Sequence, residues 1–87
     1  MDVTTNPYET YERLVEEEDR RVRQLETCEL AQTAILDLYY NSKEPLDRET
    51  VQEILKAVHA IDLRLQSELL DLRLEKMAFA CQLKKYT

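Results

Sequence analysis

Chemistry in this sequence would have to come from one histidine, two cysteines and a surplus of carboxylates. General acid–base or nucleophilic work by His59 needs a Ser, Cys or carboxylate held within hydrogen-bond reach. No Ser or Cys stands at a spacing that assures this, so a partly exposed polar side chain at the edge of an apolar stripe is expected. Cys28 and Cys81 have no Cys or His at ligand spacing, which predicts no metal site and no cofactor. On the helical hairpin derived below they lie about 30 Å apart at 1.5 Å per residue, beyond disulfide reach. Both read as small buried hydrophobes. Carboxylate pairs are frequent, but any charged helical surface supplies them. The expectation is a protein that is not an enzyme.

The elements that carry these residues follow from what the chain lacks. Its 87 residues contain no Gly and two Pro, so tight β-turns and phosphate-cradling loops lose their usual residues. Met1 to Asn6 carry no pattern and are expected to fray. Asn6 and Pro7 suit an N-cap and first turn, with Glu9 and Glu12 at the positive end of the dipole. A helix is predicted over about 7–40. Steps of 100° place Tyr11, Leu14, Val22, Leu25, Cys28, Gln32, Ile35, Leu36 and Tyr39 on one side. The run Glu16 to Arg21 interrupts that stripe, which predicts a thinner core, a splay or bend there, and a solvated acidic surface.

Residues 41–46 form the one convincing turn, because Pro45 cannot continue a helix. Asp47 then caps a second helix over about 47–86, with Leu46 and Val51 placed as a hydrophobic staple. Val51, Val58, Leu65, Leu72, Phe79 and Tyr86 recur every seven residues, and Ile54, Ile61, Leu69 and Leu83 widen them into a coiled-coil-like seam. The fold class is therefore all-α. One domain is expected, a long antiparallel helical hairpin, completed to a bundle by oligomerisation or by a short third helix.

A hairpin buries one side of its second helix, yet this one has two apolar sides. Leu63, Leu70, Leu74, Met77 and Cys81 gather about 160° from the seam by 100° steps. Leu30, Ala34 and Leu38 likewise face away from the main stripe of the first helix. Exposed apolar patches of this size mark interfaces. The expected occupant is an identical subunit or a partner helix laid into a groove, and Met77 is a residue type that adapts to varied partners.

Charge narrows the partner. Lys+Arg 12 against Asp+Glu 18 gives a net charge of -6, which argues against neutralising nucleic-acid phosphates. Up to Glu44 there are eleven acids and five bases, and from Pro45 seven of each, so the excess sits on the first half. The expected role of the acidic run there is to keep the surface solvated, the alternative being to steer a basic partner. No apolar run approaches the roughly 20 residues that span a bilayer, and no signal peptide opens the sequence, so a cytoplasmic protein without membrane contact is expected.

Two family patterns bear on this reading. Ile61-Asp62, Leu69-Leu70, Arg73 and Lys84 superficially resemble the first helix of the helical chorismate mutases. That family needs an Arg where Leu55 stands, and the later basic residues fall one position out of register. Over roughly residues 8 to 86 the chain resembles the flagellar export chaperones of the FliT type. The likeness lies in two helices joined by a short polar loop, the segment Ile54-Leu55-Lys56-Ala57-Val58-His59-Ala60-Ile61-Asp62, the continuation through Leu69-Leu70, and the tail Lys84-Lys85-Tyr86. The opening Asn6-Pro7-Tyr8 with Tyr11 is similar to the start of the flagellin-binding FliS type, without the Thr-rich stretch that follows there. The FliT resemblance implies a cytoplasmic protein without cofactor or catalysis. It implies binding to an exported flagellar subunit, typically the filament cap, which is shielded from premature assembly. Leu63, Leu70, Leu74 and Met77 would take the client's apolar face. The alternative is a structural homo-oligomer whose second stripe closes a bundle with no exchangeable client.

Overall fold

The computed structural model describes residues 6–85, and within them the chain is two helices, α1 (Pro7–Asn41) and α2 (Arg48–Lys85). Expectations for Met1 to Thr5 and for Tyr86 lie outside the described residues. Both helix starts are set by the side chains the sequence singles out. Asn6 Oδ1 accepts the Tyr8 amide at 3.0 Å, with Pro7 in the first turn where its missing N–H costs nothing. Asp47 Oδ2 accepts the Thr50 amide at 3.0 Å and the Thr50 hydroxyl at 2.6 Å. The Thr50 hydroxyl and amide hold the Asp47 carboxyl below its usual range, so it stays charged at the positive end of α2. α1 ends where Ser42 turns extended and donates its amide to Leu38 O at 2.9 Å.

The helices run antiparallel and pack along most of their length, forming a layer of 62 × 26 × 16 Å, one helix thick. Its packing follows a heptad. On α2 Val51, Leu55, Val58, Asp62, Leu65, Leu69, Leu72, Lys76, Phe79 and Leu83 are sheltered and alternate by four and three residues, with Glu68 and Ala80 partly sheltered beside them. On α1 Tyr11, Leu14, Glu18, Arg21, Leu25, Cys28, Gln32, Ile35 and Tyr39 follow the same alternation, with Thr10, Val15, Glu17, Val22, Gln24 and Ala31 also partly sheltered beside them. This 3.5-residue repeat is the signature of helices coiled about one another.

Three expectations change here, the first being that Leu36, placed on the main stripe of α1, is exposed. Ile54 and Ile61 are each 44% exposed and border the seam, whereas Leu55 enters it. The charged run of α1 neither breaks nor merely solvates the helix. α1 is continuous through it, and Glu18 and Arg21 occupy seam positions facing α2.

The core is thin. Leu14, Cys28, Val51, Leu65 and Leu69 are buried, Leu65 most of all at 3% exposure, while twelve large apolar side chains among the described residues are exposed. Two helices can shelter only the facing sides of each other, so the rest of the apolar surface stays open.

Candidate partner-binding surface

The polar layer in the middle of the hairpin fixes how the helices are placed. Glu18 receives Arg73 Nε at 2.8 Å on Oε2 and Lys76 Nζ at 2.5 Å on Oε1. Three residues further along α1, Arg21 Nε donates to Glu68 Oε1 at 2.8 Å, and Arg64 Nη1 reaches Glu68 Oε2 at 2.9 Å. Lys76 and then Arg73 hold the Glu18 carboxyl below its ordinary range, and Glu18 in turn raises Lys76. Glu68 is lowered chiefly by Arg64, with Arg21 adding to it. Pairs open to water contribute little to stability. Their stronger effect is on register, because a slide of one helical turn, about 5.4 Å, would disturb all three cross-helix pairs at once.

With the helices fixed, each candidate residue has a definite place. Leu63, Leu70, Leu74 and Met77 are 52%, 58%, 58% and 65% exposed, and Cys81 is exposed beside them on the same side of α2. From Leu63 to Cys81 the stripe runs about 27 Å along the helix. No described part of the chain covers it. Leu30 and Ala34 are exposed on the outer side of α1, whereas Leu38, expected with them, is exposed at the flank of the seam, where it faces Leu46, Val51 and Ile54. The two cysteines divide: Cys28 is buried as expected, whereas Cys81 is a surface thiol because its position falls on the outer stripe rather than the seam. His59 is exposed, and no group of three or more His, Cys, Asp or Glu among the described residues could hold a metal ion.

Two grooves flank the seam, and they differ in chemistry. One, of about 470 Å³, has Val22, Leu25 and Leu69 at its floor and Glu26, Glu29 and Asp62 along it, against the single base Arg73. The other is apolar: Cys28, Ala31, Val58, Ile61 and Leu65 form a depression of about 350 Å³ in its middle. Toward the turn the same side continues as Ile35, Leu38, Leu46, Val51 and Ile54. Leu46 and Val51, expected as a staple, both line this stretch, with Leu46 41% exposed.

The apolar groove escaped the sequence reading. Its signal was present in Ile54 and Ile61, which a seam-centred plot assigns to the core and the structure leaves at the rim. No described helix is long and apolar enough to cross a membrane. The chain matches no protein-family model, no curated protein and no solved structure.

Proposed function

We propose that this chain is a helical adaptor of the chaperone kind, which binds a helix of another protein along Leu63, Leu70, Leu74, Met77 and Cys81. The observation that carries the reading is the exposure of that stripe, an apolar line on a helix whose other side is already occupied by α1. A groove or line of leucines spaced three, four and seven residues apart fits the apolar face of an amphipathic helix. The role proposed is binding without catalysis or cofactor, in the cytoplasm.

The finer form of the proposal is that the partner is an exported flagellar subunit of the filament-cap type, shielded from premature assembly. Its support is the FliT-like order of helix, short polar loop and leucine-rich second helix, together with the uncovered stripe. The variant Leu70→Glu with Met77→Glu tests it in the full chain. Circular dichroism is expected to show retained helicity, and calorimetric titration with a terminal-helix peptide of a filament-cap protein is expected to show binding by the wild type alone. Equal binding by the variant overturns the stripe assignment, and no binding by the wild type overturns the flagellar client. A wild-type oligomer that persists on dilution, ignores the peptide and dissociates in the variant instead establishes the structural homo-oligomer.

A further inference from the structure

From the apolar groove and the surface area we infer that this chain pairs with a second copy of itself. The two copies pack through the groove of Cys28, Ala31, Ile54, Val58 and Ile61, leaving the outer stripe of α2 free. The inference stands apart from the client reading, since it uses a different side of α2.

Area is the first argument. The chain exposes 7215 Å². A compact monomer of its 10.4 kDa mass is expected to expose about 5,400 Å², an excess of about 1,800 Å² per chain. A standard protein interface removes only about 800 Å² from each partner, so the excess accommodates a dimer with surface remaining. The shape agrees. A layer 16 Å thick and 62 Å long carries its surplus on its two broad sides, and stacking two such layers gives a four-helix bundle with one shared core.

Charge decides which side a second copy can cover. An identical partner also carries -6, so it is repelled by the groove bearing Glu26, Glu29 and Asp62. The opposite groove offers it no free carboxylate in its middle, where Arg64 is the one charged residue. Asp47, near the turn, is engaged in capping Thr50. Residues seven apart share a helical side, so Ile54 with Ile61, Val51 with Val58, Cys28 with Ile35 and Ala31 with Leu38 make the apolar groove continuous over about three turns. A two-fold axis across its middle would set each copy's isoleucines against the other's, the self-complementary arrangement of a symmetric dimer.

Sedimentation equilibrium of the full chain, run from low to high micromolar concentration, tests this. A mass of twice the chain is expected. Ile54→Glu with Ile61→Glu is expected to yield a helical monomer that still binds the client peptide, whereas Leu70→Glu with Met77→Glu stays dimeric. Should the charged groove variant unfold, Ile61→Ser is the second test, and a dimer dissociation constant raised at least tenfold is expected. A wild type that is monomeric throughout overturns the inference. So does a dimer that is broken only through Leu70 and Met77, a dimer indifferent to the groove variants, or a higher assembly.

Discussion

The sharpest check on the architecture compares two leucines five residues apart on α2. Leu65 is 3% exposed and Leu70 58%. Truncation to Ala removes three carbons from each, and burial of a CH₂-sized group is worth about 0.8 kcal/mol. For Leu65 nearly all of that is lost, about 2.5 kcal/mol. The adjoining apolar groove is open, so the additional cost of an enclosed cavity stays small. For Leu70 less than half applies, about 1 kcal/mol, further reduced by the better helix propensity of Ala. Urea denaturation of each variant, followed by circular dichroism at 222 nm and at two protein concentrations, gives both numbers. Equal losses would refute the reasoning, because they would mean that the outer stripe is as buried as the seam. A Leu65→Ala cost above about 4 kcal/mol at the higher concentration only would show that the groove becomes an enclosed cavity when a second copy covers it.

Two further outcomes concern the polar layer. Glu18 is held below its ordinary value of 4.5, so the folded chain binds that proton more weakly than the unfolded chain does. The stabilisation is therefore present above about pH 4.5 and is lost as pH falls through the lowered folded value. Urea midpoints from pH 7 to pH 3 are expected to fall less steeply for Glu18→Gln than for the wild type, while the lowered Glu68 and Asp47 preserve part of the slope. An unchanged slope would dissociate Glu18 from the effect. Arg21→Glu is expected to lower the thermal midpoint, and Arg21→Glu with Glu68→Arg to recover part of it; absence of recovery would show that the pair does not act across the helices.

Helix number, both N-caps and the Pro45 turn were legible in the residues, because capping and breaking are local physics that a few side chains decide. The seam was legible only in outline. Ideal steps of 100° drift by about 20° per heptad against a supercoiled repeat, and that drift draws Ile54 and Ile61 inward while pushing Leu55 out. Glu18 and Arg21 were hidden by their chemistry. A charged residue in an apolar repeat reads as an interruption, and its partners at Glu68, Arg73 and Lys76 lie 47 to 58 residues away, visible only once the register is set. The candidate stripe of Leu63, Leu70, Leu74, Met77 and Cys81 was readable because exposure on the outside of a helix depends on angle alone. The apolar groove was not, since it takes one wall from each helix.

The short link between α1 and α2 also sets the order in which the hairpin comes apart. Closing a loop costs more entropy as it lengthens, roughly as (3/2)RT ln n. Contacts near the turn, such as Ile35 beside Val51, close small loops, whereas the Glu18 pairs close loops of 55 and 58 residues. Beyond them toward the chain ends, Leu14 is the one buried residue among those described. Opening is therefore expected to begin at the end far from the turn and to run inward. Met77 and Cys81 stand on the segment of α2 beyond the Glu18 pairs, toward that end. The part of the outer stripe proposed to take a client is thus also the part that can separate from α1 most readily, which gives it freedom to adjust to the helix it receives.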